Sequence, residues 1–439
     1  MKKVLILSYF FPPCNLTASQ RSLGWAKYLR AEGWDPIVIT RNWDVHIGQP
    51  DDMHKDSGTE IHHKKQDGYE AYYLPFRGNL RDRLYSKYGN TRFRLHRKAL
   101  SFIELSGHHF HTSFIPFSNL YHFALKYCHD HPEVEAIVVT GNPFEIFRFG
   151  YKLHQKTGIP WIADYRDDWT TSEVNETRGF LDFFLKEMEK GSEKKWIGTT
   201  HCITSISPFY ARKIGDFVGK KAHVLLNGFF EEELERFQNL PLEEKFTIIY
   251  IGMLYPSQQI EIFLDAFKKL VDSNPENRHR IQLSFPGILF LKDVAKRVSE
   301  HMKGYEDVVS LSERISRETV LEQQAKAHLL LMVSHKGAKG IPSSKIYEYL
   351  GIGRPVLVCP GDDDILDETF SAYNQGHIAN TTEEAYQTLQ NAFDTYLQGK
   401  YSELKADRSY TTKFARSRQA GVLAKLLNEA SEKSGHSGQ

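Results

Sequence analysis

The chain has 439 residues, with 56 Lys and Arg against 55 Asp and Glu and a formal net charge of +1 when its 20 His are neutral. That balance argues against a generally basic nucleic-acid binder, and the length exceeds what one ordinary core serves, so two or three domains are expected. With 41% hydrophobic and 25% charged residues, the composition is that of a water-soluble globular chain.

Four widely separated cysteines (Cys14, Cys128, Cys202, Cys359) form no C-x-x-C pair and no zinc-finger cluster, which points to a reducing compartment. Met1-Lys2-Lys3 followed by Val4–Leu7 imitates a signal peptide. Pro12 and Pro13 cut the apolar run short, however, and no small-residue cleavage site follows. No apolar run approaches the roughly 20 residues of a membrane-spanning helix. A cytoplasmic protein is expected.

In chain order, Val4–Tyr9 reads as a first buried strand, Ala18–Glu32 as a helix closed by Gly33, and Trp34–Thr40 as a second strand. This is the opening of a doubly wound α/β sheet. The first loop has no glycine before Gly24, which argues against a dinucleotide fingerprint and NAD. Residues 44–76 read as loops and short strands. From Arg77 to Lys98 basic residues crowd together (Arg81, Arg94, Arg97 and Lys98 among them), opposed only by Asp82 and interleaved with Leu and aromatic side chains. The aromatic character continues to Phe117. Such a stretch suits an anionic membrane surface or an anionic substrate, or is a solvated helix face.

Sheet rhythm resumes with Ala136–Thr140, the turn Gly141-Asn142-Pro143-Phe144, a helix to about Thr157, and a strand ending in Asp164-Tyr165-Arg166-Asp167-Asp168-Trp169. A helix over Phe180–Trp196 and strands at His201–Ser205 and Ala222–Leu226 complete the half. Residues 229–245, acidic and poor in strand formers, read as a linker. A second alternation starts at Phe246–Ile251 and Gly252, continues through a helix from Ile260 to Leu270, and adds strands at Ile281–Phe285 and Val308–Leu311. The helices Thr382–Leu397 and Lys413–Ala430 end the pattern, and Ser431–Gln439 reads as a disordered tail.

The most informative stretch is 328–360. The strand-length run His328–Ser334 leads through a Gly-rich connection to Ile341-Pro342-Ser343-Ser344, then a short helix Lys345–Leu350 stopped by Gly351 and Gly353, then a buried strand from Pro355. In a parallel sheet such a loop lies at the carboxyl ends of strands, where ligands bind. A helix start there offers free N–H groups and a positive dipole end to an anion. Lys345 and Glu348, three apart, share a face. The residues fit Lys345 near phosphate and Glu348 accepting from sugar hydroxyls, or an ordinary surface ion pair.

Several pieces in order resemble the bacterial family-4-like retaining glycosyltransferases of the two-Rossmann-domain (GT-B) architecture. They are Phe11-Pro12-Pro13 with Arg21, Asp164–Asp167 with Trp169, Leu226-Asn227-Gly228-Phe229, Tyr250–Leu254, and Ile341–Leu350 with Gly353–Leu357. The resemblance implies two Rossmann-like domains facing across a cleft: residues 1–228 for the acceptor, a linker at 229–245, 246–408 for the nucleotide-sugar donor, and a helix at 409–430 crossing back to the first domain. It implies sugar transfer, with retention, to a glycan or lipid-linked acceptor in surface polysaccharide or glycolipid synthesis at the inner face of the membrane. No nucleic acid, metal or cofactor is expected beyond the donor itself. Asp362-Asp363-Asp364 is read as a helix start.

By the same resemblance Lys345, Glu348, Ser343 and Ser344 fall where the donor binds. From the residues themselves, Gly252 lets backbone approach the donor or is only a turn glycine, and Arg314 is a candidate donor-side cation. Asp167, beside Arg166, is the catalytic candidate that orients the acceptor hydroxyl or the transferred sugar, unless these aspartates cap a helix and pair with Arg166. Arg21 faces the diphosphate as a further catalytic candidate or makes a packing ion pair. Asn142 and Glu145 bind acceptor hydroxyls or form a structural Asn-Pro turn, and Asp164 belongs to the same acceptor-facing cluster. Departures are clear as well: the Arg and Lys that reach the diphosphate in such enzymes are here Met253 and Gln258, and the first Glu of the two-glutamate motif is Gly340. Lys345, Arg354, Lys339 and Arg314, with Arg21 and Arg166 from the other half, are the substitutes on offer. A nucleotide-sugar epimerase and a non-catalytic sugar-nucleotide or glycan binder are the alternatives.

Overall fold

The structure is a computed structural model that describes residues 1–436 except 45, 46, 48, 49, 90, 91, 173–179, 238, 336 and 338. The apolar runs become two parallel sheets, each in its own compact unit: Met1–Asn227 with the closing segment from Arg416, and Gly228–Ala415.

The first unit contains β1 (Lys2–Ser8), β2 (Trp34–Arg41), β3 (His62–Gln66), β4 (Tyr69–Leu74), β5 (Val134–Gly141), β6 (Trp161–Tyr165), β7 (Cys202–Ser205) and β8 (Ala222–Val224). Their order is β3-β4-β2-β1-β5-β6-β7-β8, and only β3 runs antiparallel to its neighbour. Val4, Leu5, Ile6 and Leu7 are all fully buried, as expected of a central strand covered on both faces. The helix Arg416–His436 lies in this unit, with Ala420, Leu423 and Leu427 packed in one cluster with Val4, Ile6 and Trp25. Each buried Leu there contributes roughly 1.5–3 kcal/mol.

The second unit contains β9 (Phe246–Ile249), β10 (Ile281–Pro286), β11 (Val309–Ser312), β12 (Leu329–Met332), β13 (Val356–Val358) and β14 (Gly376–Ile378), in the order β11-β10-β9-β12-β13-β14 and all parallel. In each sheet the order reverses beside the first strand, between β1 and β5 and between β9 and β12. Such switch points are where doubly wound sheets open a crevice for ligands.

Two expectations fail here. The linker read at 229–245 contains a helix, Glu231–Glu235, and Phe229, Phe230, Leu234 and Phe237 are buried. The acidic run masks four apolar side chains that anchor the segment to the second unit. The tail read as disordered from Ser431 continues the closing helix to His436, with the Ser431 hydroxyl donating to Glu135 at 2.6 Å. Residues 437–439 lie outside the described residues. The basic stretch forms two helices, Leu80–Tyr88 and Arg94–Gly107, and the second buries none of its residues. Among the described residues no helix is long and apolar enough to cross a membrane.

Candidate functional site

In the second unit the site grows from β12 and the helix after it, Lys345–Ile352. Ile346, Tyr347, Tyr349 and Leu350 are buried, and the Tyr349 hydroxyl donates to the Leu331 carbonyl at 3.2 Å, which fixes the helix to its strand. Gly353, with φ of +80°, closes it, a conformation that costs glycine nothing. At the other end Ser344 makes no side-chain cap, and Ser343 Oγ lies 3.4 Å from the Lys345 N–H. The helix start follows β12, one of the two strands that flank the switch point.

Lys345 spans that point. Its ammonium donates to the Tyr250 hydroxyl at 3.1 Å and the Met253 carbonyl at 3.4 Å, both in the loop after β9, and sits 4.4 Å from the centre of the Tyr250 ring. Burial lowers its pKa to about 8, against the opposing pull of Glu348. Beneath it the loops after β9, β10 and β11 are knitted together: the Gly252 N–H donates to Pro286 and the Gly287 N–H to Ser312. Gly252 and Gly287 have φ of +80° and +87°, and a Cβ on Gly287 would stand 3.4 Å from Gly252 Cα. The approach itself is ordinary van der Waals contact, and it is the left-handed φ at both positions that favours glycine. Arg314 borders Gly287, with its guanidinium over Phe290, and has no carboxylate partner among the described residues.

Glu348 is half-buried and held by a residue that sequence reasoning missed. Arg317 donates to it at 2.5 Å and to both oxygens of Glu233 at 2.8 and 3.0 Å. The two carboxylates raise the Arg317 pKa against the effect of burial. Glu348 keeps free acceptor capacity, since a carboxylate offers about four lone-pair positions. Arg317 lies 31 residues upstream, and no local pattern announces it.

Gln258 faces inward. It is 3% exposed, accepts from the Tyr255 N–H at 2.9 Å and donates to the Val333 carbonyl at 2.5 Å. It is a brace for the loop. Met253 beside it is exposed and uncharged. Of the substitute cations, Arg354 is spent on the Ala325 carbonyl (2.7 Å) beyond the helix's carboxyl end, and Lys339 is exposed. Lys345 and Arg314 remain. The acidic run serves a helix start: Asp362 carboxylate oxygens accept from the N–H groups of Asp364, Leu366 and Asp367.

In the first unit Arg21 makes the packing ion pair that stood as its alternative reading, and its partner is Asp164. Asp164 is fully buried and accepts from Arg21 at 2.6 and 2.9 Å, Thr140 at 2.8 Å and Thr204 at 2.7 Å. Arg21, 2% exposed, spends its remaining donors on Leu225, Leu226 and Asn227. The pair saturates itself and ties the first helix to β6 and to the end of the unit. Neither is open to a ligand.

Arg166, by contrast, is at the switch point. It donates to the carbonyls of Gly141 (2.8 Å) and Asn142 (2.5 Å), and its guanidinium lies 5.3 Å from the Phe10 ring centre, joining the loops after β1, β5 and β6. Burial lowers its pKa, against the pull of Asp167 and Asp164. Asp167 and Asn142 are exposed beside it. Asp168 is taken by Lys213 at 3.0 Å and by Thr171. Glu145 is half-buried, with its pKa raised by burial. Burial, with Glu145 as second cause, raises Glu189 to about 7.

No known family profile and no characterised protein sequence matches the chain. Solved structures do. HepE of Anabaena, crystallised with UDP and glucose, aligns over 98% of this chain and 100% of its own, at 13% identity and a TM-score of 0.59. The trehalose-6-phosphate synthase OtsA aligns over 97% and 99%, at 12% identity and 0.62. A UDP-forming α,α-trehalose-phosphate synthase from Burkholderia xenovorans, in complex with glucose-6-phosphate, aligns over 98% and 100%, at 10% identity and 0.60. The fold is that of the GT-B glycosyltransferases. At these identities the likeness is one of fold, and the site must be argued from its own residues.

Proposed function

We propose that the protein is a nucleotide-sugar-dependent glycosyltransferase whose second unit holds the donor. One observation carries this reading: Lys345, at the start of the helix after β12, reaches across the switch point to the loop after β9, over the close-set Gly252 and Gly287. A donor diphosphate is the ligand that such a geometry suits, with Lys345 and the Ser343–Ser344 helix start against its oxygens and Arg314 at its edge. Glu348, oriented by Arg317, accepts from the ribose hydroxyls. UDP-sugars are the first donors to test, since solved relatives in fold are described with UDP or as UDP-forming.

Catalysis on this reading is electrostatic and positional. Lys345 and Arg314 compensate the charge that develops as the diphosphate leaves. On a retaining, front-face route the departing phosphate takes the acceptor proton, so no dedicated protein base is required. In the first unit Asp167 and Asn142, set by Arg166, orient the acceptor hydroxyl. A bacterial surface glycan or glycolipid is the product class we favour, in the cytoplasm at the membrane's inner face.

A second reading, a non-catalytic sugar-nucleotide binder, is favoured by uncharged Met253 and inward-facing Gln258. Turnover with a panel of nucleotide sugars, followed by release of the free nucleoside diphosphate, separates the two. Release that depends on an added acceptor supports the enzyme. Binding without any release supports the binder.

A further inference from the structure

A cavity of about 630 Å³ opens in the first unit between the helices Leu80–Tyr88, Arg94–Gly107 and Phe180–Ile197. Residues 94, 97, 98, 101, 102 and 105 of the middle helix line it, a spacing that places them on one face. Its charge is unbalanced. Arg81, Arg94, Arg97 and Lys98 face it, against Asp82 and Asp182. Asp82 is already paired with Arg81 at 3.0 Å and with His54 at 3.3 Å. Neither Arg94 nor Lys98 has a carboxylate partner among the described residues.

The rest of the wall is apolar or aromatic: Tyr85, Phe102, Leu105 and Leu185. The same helices hold Leu95, Ile103, Phe183 and Phe184 exposed to solvent, Leu95 by 79%. A lining that combines an excess of cations with apolar side chains suits neither a free sugar nor a neutral lipid. It suits a molecule that is anionic at one end and apolar at the other. The volume is that of a small-molecule site, and Arg81 is near enough to Glu145, at the carboxyl end of β5, to act on its carboxyl electrostatically.

We propose that this cavity binds the phosphate end of an anionic amphiphile, with Arg94 and Lys98 on the phosphate and Tyr85, Phe102 and Leu105 along the first carbons of its chain. That the amphiphile is the sugar acceptor, a phosphate carried on a lipid, rests on the glycosyltransferase reading. The binding itself does not.

The test is titration of the full chain with dodecyl phosphate below its micellar concentration, followed by calorimetry. Inorganic phosphate and dodecyl maltoside serve as competitors, and sedimentation with phosphatidylcholine vesicles, with and without phosphatidylglycerol, runs in parallel. We expect saturable one-to-one binding of dodecyl phosphate, weak competition by inorganic phosphate and none by the maltoside. Two variants are compared, with melting curves to show that each folds: Arg94→Glu with Lys98→Glu, which reverses the charge, and Ser101→Trp, which fills the space and leaves the charge intact. Both should weaken dodecyl phosphate at least tenfold. The proposal is overturned if the parent shows no saturable binding. It is also overturned if Ser101→Trp binds as the parent does while phosphatidylglycerol vesicles are retained, since the region is then a membrane-adsorbing surface and not a cavity site. These measurements use no nucleotide sugar, so their failure leaves the donor site untouched, and loss of donor binding leaves them untouched.

Discussion

Replacing Lys345 with Met should move stability and function in opposite directions. Its ammonium is pressed against Tyr250 and the Met253 carbonyl, and burial lowers its pKa to about 8, from about 10.4 in an unfolded chain. The unfolded chain then holds the proton more tightly than the folded one. The charge is a penalty at every pH below about 8, and stability rises as pH goes from about 8 towards 10.4. At full weight that displacement is worth roughly 3 kcal/mol, and partial exposure to water reduces it to roughly 1–2 kcal/mol. Lys345→Met should therefore stabilise the ligand-free protein by about that much at pH 7 in urea unfolding, and should flatten its stability between pH 8 and 10. The same change removes a cation from the developing diphosphate charge, a loss of a few kcal/mol and so roughly a hundredfold or more in kcat/KM. The native kcat/KM should fall as pH rises through about 8, when the ammonium of the ligand-free protein loses its proton, and Lys345→Arg should push that limb upwards. A Met variant with parental turnover would exclude Lys345 from the donor site, and one less stable than the parent at pH 7 would show that its buried charge carries no penalty.

Glu348→Ala should weaken nucleotide-sugar affinity by roughly 1–3 kcal/mol in calorimetry and leave the fold intact, because Arg317 keeps Glu233; unchanged affinity removes Glu348 from the site. Asp167→Asn should lower turnover while leaving donor affinity within twofold, and a loss of donor binding instead would exclude an acceptor role. Arg21→Met should cost roughly 3–5 kcal/mol in urea unfolding, since it strands the buried Asp164 carboxylate; a stable but inactive variant would return Arg21 to the site. Glu193 is fully buried and bonded to Tyr165 at 2.9 Å and to Thr170, and burial raises its pKa to about 7. The folded state thus binds this proton more tightly than the unfolded one, and stability contributed below about pH 4.3 is lost as pH rises through about 7. Glu193→Gln should remove that slope in melting temperature.

Sheets were the legible part of the sequence because central parallel strands are continuous apolar runs, as at Val4–Leu7 and Leu329–Met332. β14 escapes because Gly376-His377-Ile378 has no such run, and the helix at 231–235 because its exposed face is all glutamate. At the candidate site, the Ser-Ser-Lys-x-x-Glu stretch is legible through its spacing along one helix. Arg21 and Asp164 stayed ambiguous for the opposite reason: 143 positions separate them, and a sequence shows a charged residue without its burial. Arg317 and the inward turn of Gln258 are long-range facts of the same kind. They are fixed by packing between elements and leave no local pattern.

On the proposed reading a donor diphosphate sits where Lys345 crosses the switch point. A crystal structure with a bound nucleotide sugar should then show diphosphate oxygens within hydrogen-bond distance of Lys345 Nζ and of the backbone at Ser343–Ser344, with the ribose at Glu348. A diphosphate held elsewhere, with Lys345 still closed on Tyr250 and Met253, would contradict it.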